Sequence, residues 1–191
     1  RQVKIATNWL NLDMQIPVIS GMTNKALQEK INKEIMDKAM HTKGELESGY
    51  AEYAKAASEY NFPAMPFELS IDYETYTSGG VLSLVVETYE YSGGAHGLAW
   101  RDYYNIDTVN CRELSLSELF KNNVDYIKII NREIKKQISD QINSGQGLYF
   151  EGDMGFQSIS ENHPYYIKDN YIVLCFGAYE IAPYAAGMPE F

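Results

Sequence analysis

The side chains best able to bind a metal or act as base or nucleophile in this chain are three histidines, His41, His96 and His163, and two cysteines, Cys111 and Cys175. The histidines lie far apart and none sits in an H-x-x-x-H or H-E-x-x-H arrangement, while the cysteine spacing matches no zinc pattern. No metal site is predicted. The serines lack a G-x-S-x-G elbow, and neither a G-x-x-x-x-G-K phosphate cradle nor a G-x-G-x-x-G dinucleotide turn is present. Carboxylates are plentiful, but a pair such as Glu87 and Glu90 is what a solvated strand face presents in any case, so glycoside hydrolysis has only weak support. With no nucleophile, base and orienting partner in evidence, the sequence predicts no catalytic residue, no cofactor and no enzyme activity. A site assembled from distant carboxylates is the form of catalysis that sequence alone would hide.

His96 stands in the most particular setting, the stretch "YSGGAHG" at residues 91–97. Glycines allow positive φ and close backbone approach, as a bulged hairpin connection requires. The expected role of His96 is therefore architectural, bonding turn carbonyls rather than doing chemistry. Tyrosine is the other unusual feature, with 16 in 191 residues. It supplies large amphipathic contact area at low entropy cost, the property used at interface hot spots, but it also favours sheets. Most of the tyrosines, including Tyr73 and Tyr89, read as strand residues. For Tyr179 and Tyr184, which flank Pro183 in a loop, contact with a partner and internal packing are equally compatible with the sequence.

The elements that would position these residues follow from hydrophobic period. Residues 3–18 alternate apolar and polar side chains, the signature of one or two strands ending at Pro17. From Thr23 or Asn24 as N-cap, Leu27, Ile31, Ile35 and Ala39 recur at helical spacing; alanine-rich "YAEYAKAASEY" continues the helix, with a break expected near Gly44 or Gly49. Three strands then form a meander: "FELSIDYETYT", "VLSLVVETYEY" and "AWRDYYNIDTV", the first two joined by "SGG". "ELSLSELF" reads as a short helical turn with a Ser cap. "VDYIKIINREIKKQISDQI" is an amphipathic helix with Ile127, Ile130, Ile134, Ile138 and Ile142 on its buried side, ended by Gly145 and Gly147. Two aromatic-apolar runs separated by "KDN" form a last hairpin. The predicted class is α+β, antiparallel sheet(s) with two long amphipathic helices packed on one face.

An apolar content of 45% supports a real core. The longest apolar runs fall well short of the roughly 20 residues of a membrane helix. The sequence begins mid-pattern and stops just after an apolar segment, so it is expected to be part of a longer chain. Sixteen basic against 26 acidic residues give a net charge of −10, which argues against nucleic acid and favours basic partners. Two cysteines permit one disulfide; Cys175, within "YIVLCF", is expected to pack as a small apolar residue.

"YEYSGGAHG" after a strand, "LSLSELF" before a long helix and "AYEIAPYAAGMPEF" near the end, in that order, resemble one bacterial family: the extracytoplasmic domain shared by RsiV-type anti-sigma factors and PdaC-type peptidoglycan deacetylases. The turn is matched by Tyr91, Gly93, Gly94, Ala95, His96 and Gly97, and the terminal motif by Tyr179, Glu180, Pro183, Tyr184 and Gly187. The resemblance implies a two-part α+β unit, residues 1–111 and 112–191, packed as one compact body. It implies a non-catalytic location outside the cytoplasm, anchored to a membrane only through a segment beyond this sequence. In RsiV-type members the domain binds lysozyme, and binding leads to proteolysis and release of a sigma factor. A basic protein such as lysozyme is thus the implied partner, with Tyr179, Pro183 and Tyr184 as contact residues; cell-wall peptidoglycan glycan is the alternative. Cys111 and Cys175 depart from the family pattern.

Overall fold

The computed structural model describes all 191 residues. Eight strands and two long helices follow in the order β1 (Gln2–Ala6), β2 (Leu10–Gln15), α1 (Lys25–Glu59), β3 (Phe67–Ser78), β4 (Val81–Tyr91), β5 (Leu98–Asp107), β6 (Arg112–Glu113), α2 (Tyr126–Asn143), β7 (Tyr165–Lys168) and β8 (Tyr171–Leu174). The first six strands form one sheet in chain order, and β7 and β8 form a separate ribbon. This is the α+β class. Packing divides the chain into two units, Arg1–Glu74 with Val85–Asp102 and Thr75–Leu84 with Tyr103–Phe191. The division cuts through β3, β4 and β5, so it is a different partition from one made by chain order at residue 111.

In the first unit, Leu10, Leu12 and Met14 of β2 are opposite Phe67, Leu69 and Ile71 of β3, and all six are buried. Period-two alternation puts the whole set on one face. This pair of strands is parallel, unlike the antiparallel β1/β2 and β5/β6. Strands joined by a long helix return in the same direction, so α1 makes the difference. No break occurs at Gly44 or Gly49: α1 runs unbroken for 35 residues, capped by Asn24, whose Oδ1 accepts the Leu27 amide at 3.1 Å. Two interior glycines cost about 1 kcal/mol each. Burial of Leu27, Ile31, Ile35, Ala39 and Leu46 on one stripe outweighs that. Tyr50 and Tyr53 of α1 meet the Phe67 ring at 5.1 and 5.0 Å, seating the helix on the start of β3.

The second unit is built around the β7–β8 ribbon. Asp169 and Asn170, both at positive φ (50° and 65°), make its two-residue turn, the conformation that matches strand twist and that Asx residues tolerate best after glycine. Ile130 and Ile134 of α2 are buried with Ile167, Leu174 and Phe176, while Ile127 and Ile138 pack at the margin. Ile142, expected on the buried side, is 50% exposed. It lies in the last turn, where the chain leaves through Gly145 at φ 72°. Asp125 caps the other end, accepting the Lys128 amide.

The outer edge of β7 has no neighbouring strand. Its polar groups are met by side chains instead. The Ser83 hydroxyl accepts the Ile167 amide at 2.9 Å and donates to Asn105 Oδ1 at 2.5 Å, and Asn105 Nδ2 donates to the Tyr165 carbonyl at 2.8 Å. Ser83 has 0% of its surface exposed. A buried network of this kind stabilises only when every member is satisfied. Replacing Ser83 by Ala strands the Ile167 amide and half of Asn105, at about 1–3 kcal/mol for each unpaired group. Urea denaturation of Ser83→Ala should therefore show a loss of at least about 2 kcal/mol, and Ser83→Thr should recover part of it.

Candidate functional site

The segment from Gly177 to Gly187 is shaped by its own short hydrogen bonds. The Gly177 amide donates to Glu180 Oε2 at 2.7 Å, and the Glu180 amide donates back to the Gly177 carbonyl at 3.2 Å. Between them Tyr179 is held at φ 65°, a region that bulky residues rarely occupy and that costs on the order of 1–3 kcal/mol. The next turn is anchored from below: Ile181 and Ala182 are buried, and the Ile181 carbonyl accepts the Phe150 amide at 2.9 Å. Pro183 then starts a single 3-10 turn through Tyr184–Ala186, closed by the Ala186 and Gly187 amides on the Pro183 and Tyr184 carbonyls. Gly187 leaves it at φ 70°.

The outcome is an aromatic pair. The Tyr179 and Tyr184 rings lie 5.6 Å apart at 30°, and Tyr179 is 49% exposed. Glu180 is exposed beside them. Five residues of the terminal motif thus form one local structure: two rings, a capping carboxylate, a proline and a glycine exit.

The glycine-histidine turn forms the connection from β4 to β5. Gly93 and Gly94 have φ of 94° and 97°, and the Tyr91 hydroxyl donates to the Gly94 carbonyl at 3.1 Å. A Cβ at Gly97 would collide with the Glu90 carbonyl and the Tyr89 ring; at Gly93 it would come within 2.7 Å of Tyr53. Tyr89 is therefore a packing residue, as the sequence suggests. Ala95 and His96 are exposed, and His96 Nδ1 bonds the Gly97 carbonyl at 2.9 Å. The histidine does serve a turn carbonyl, at the surface.

Several other tyrosines are consumed by packing in the second unit. Tyr166 lies between Tyr76 at 5.0 Å and Tyr103 at 6.3 Å, in both cases nearly parallel. Its hydroxyl donates to Glu190; burial and that carboxylate push its pKa up, so it stays neutral.

His163 is the residue that sequence reading passed over. It is 5% exposed and meets the Phe176 ring at 4.5 Å, tilted by 52°, and its Nε2 has no hydrogen-bond partner. Burial holds its pKa down, opposed by Glu180 and by a hydrogen bond to the Cys175 backbone. The one available signal was its place before a proline and a strand, which also suits an ordinary core histidine. Cys175 is buried and Cys111 half-buried, with no disulfide between them. His41 is exposed on α1 beside Glu45. No group of three or more His, Cys, Asp or Glu side chains is close enough to hold a metal ion, and no helix is long and apolar enough to cross a membrane.

Residues 3–99 match the family model described as deacetylase PdaC, and residues 117–191 match a protein family of unknown function, DUF3298. The anti-sigma-V factor RsiV of Bacillus subtilis is 28% identical, over all of this chain and 65% of its own length. The peptidoglycan-N-acetylmuramic acid deacetylase PdaC of the same organism is also 28% identical, over 95% of this chain and 39% of its own. The chain thus spans less than two thirds of either relative. A crystal structure of a DUF3298 family member from Bacteroides fragilis has the same fold, with a TM-score of 0.60 and 24% identity over 95% of this chain and 79% of that one. One from Pseudomonas aeruginosa gives 0.56 and 17% over the same shares.

Two outcomes follow. Gly97→Ala should lower stability by about 1–3 kcal/mol through overpacking, whereas Gly44→Ala, in open space within α1, should raise it by about 0.5–1 kcal/mol; thermal or urea unfolding checks both. For His163, the folded pKa lies below the unfolded value of about 6.5, so the unfolded chain binds the proton first as pH falls. The stability contribution is complete above that value and declines below it, down to the folded pKa. Denaturation across that window should show stability falling with acid, with a smaller slope in His163→Phe.

Proposed function

The chain belongs to the PdaC family, and from that premise we propose that it is a non-catalytic sensor or receptor domain outside the cytoplasm, binding a protein ligand through the Tyr179–Tyr184 pair. Lysozyme is the candidate ligand. The observation that carries the reading is the pair itself: two rings held side by side on a surface loop, one of them on strained backbone, with Pro183 fixing the turn between them. Rings presented in fixed geometry surrender little entropy on binding, and tyrosine is among the commonest hot-spot residues. Left-handed backbone at a bulky residue is a conformation more often retained for contact than for stability.

Charge supports the same partner. A protein of net charge −10 draws a strongly basic protein such as lysozyme by long-range attraction, which raises the association rate and makes it salt-dependent. In the anti-sigma reading, a membrane segment beyond this sequence anchors the domain, and ligand capture exposes the full protein to regulated proteolysis.

The name of the second relative, a peptidoglycan-N-acetylmuramic acid deacetylase, favours a second reading, an accessory domain that holds cell-wall glycan for an associated enzyme. The domain would then bind glycan and not lysozyme.

Calorimetric titration of the domain with lysozyme at low and high salt separates the readings. The expected result is saturable binding that weakens with salt and inhibits muramidase activity. Tyr184→Ala and Tyr179→Ala should each weaken it by about 2 kcal/mol, roughly 30-fold. Full affinity in both variants would remove the pair from the interface. Absence of binding to lysozyme, with binding to peptidoglycan fragments, would establish the second reading instead.

A further inference from the structure

A cleft of about 200 Å³ opens in the second unit. Three segments wall it: Tyr103–Asn105 of β5, residues 113–116 after β6, and residues 162–165 leading into β7. These walls are fixed to one another. The Leu114 amide bonds the Asn105 carbonyl at 2.9 Å, the Tyr165 hydroxyl donates to the Leu114 carbonyl at 2.6 Å, and Asn105 holds the Tyr165 carbonyl. On the 113–116 wall, Ser115 is bound to Glu118 through both its amide and its hydroxyl, and these bonds with Arg112 bring the Glu118 carboxyl down to about 2. The cleft is preformed.

His163 lines this cleft, with the buried Nε2 that nothing in the fold satisfies. In a neutral imidazole Nε2 is either the N–H donor or the lone-pair acceptor, and a hydroxyl can bond it in either form. A ligand group that bonds this unpaired buried atom recovers the cost of leaving it unsatisfied. Asn162 and Glu113 stand at the same cleft.

We propose that this cleft is a binding site for one neutral pyranose sugar unit, with a sugar hydroxyl hydrogen-bonded to His163 Nε2. The volume sets the size: it is below the roughly 300 Å³ of the smallest drug-sized sites, so it takes a single small ring. The wall composition sets the type. Tyr103, Tyr104, Pro164 and Tyr165 among the lining residues contribute apolar surface, and His163 Nε2 calls for one polar partner. Glu113 and the net charge of −10 oppose an anion. A pyranose combines apolar C–H faces with several O–H donors and no charge. The site shares no residue with the Tyr179–Tyr184 pair, so it does not rest on the lysozyme reading; it deepens the glycan reading.

The test is a nuclear magnetic resonance titration of the intact 191-residue domain with N-acetylglucosamine and with glucose, following the histidine ring nitrogens. The expected result is a saturable, millimolar response of His163 Nε2 toward the hydrogen-bonded position, with the rings of His41 and His96 unmoved. Binding should weaken about three- to tenfold in His163→Phe, which keeps a buried ring and removes the polar nitrogen. It should also weaken in Asn162→Ala, which alters an exposed side chain and leaves the core intact. A silent His163 ring with both sugars would overturn the proposal, as would unchanged affinity in both variants. Glucose 6-phosphate binding more tightly than glucose would overturn it too, by marking an anion site. None of these results bears on lysozyme binding, which is read separately on the same sample.

Discussion

The outer edge of β7 is the constraint on which the second unit depends. A two-stranded ribbon leaves the amides and carbonyls of each outer edge unpaired, and a ribbon of this size is marginal by itself. Here Ser83 and Asn105 take the place of a third strand, bonding the Ile167 amide and the Tyr165 carbonyl from inside the fold. Two small polar side chains therefore set the register of the ribbon against β4 and β5. The apolar surface of α2 then closes over Ile167 and Leu174.

The cleft and the Tyr179–Tyr184 loop both follow from that placement. Asn105 and Tyr165, fixed by the network, are two walls of the cleft, and the Tyr165 hydroxyl ties in the third at Leu114. Beyond β8 the chain is held again at Cys175, whose amide bonds the Pro164 carbonyl, and at Phe176 and Leu174, which bond the 189–191 segment. The Tyr179–Tyr184 loop spans these two fixed points. Tyr179 can stay exposed because Ile181 and Ala182 supply the buried anchorage that it does not. Tyrosine thus serves two purposes in one chain: Tyr76, Tyr103 and Tyr166 are stacked for stability, while Tyr179 and Tyr184 are presented on a loop.

The family follows from two motifs, and each motif proves to be a self-contained piece of backbone geometry. In the glycine-histidine turn the requirement is absence of side chains, since the Glu90 carbonyl and the Tyr89 ring occupy the space of a Cβ at Gly97. In the terminal motif it is a carboxylate reaching back three residues to an amide. Local requirements of this kind leave a readable trace. The same turn leaves His96 at the surface, its ring bonded to the adjoining carbonyl.

By itself the sequence determined the order of the main elements, the class, an N-cap at Thr23 or Asn24, the two hairpin connections and most of the buried stripe of each helix, because all of these depend on side chains within a turn or two of one another. Tertiary structure decided the rest. The parallel β2/β3 pair, the unbroken path of α1 through Gly44 and Gly49, and the exposure of Ile142 each depend on what lies across the fold, where packing outweighs local propensity. The stranded Nε2 of His163 and the cleft around it join residues far apart in the chain, Asn105 and Tyr165 being 60 apart. No periodicity encodes such a meeting, because it is fixed by strand register and by the need to satisfy buried polar groups rather than by the order of residues along the chain.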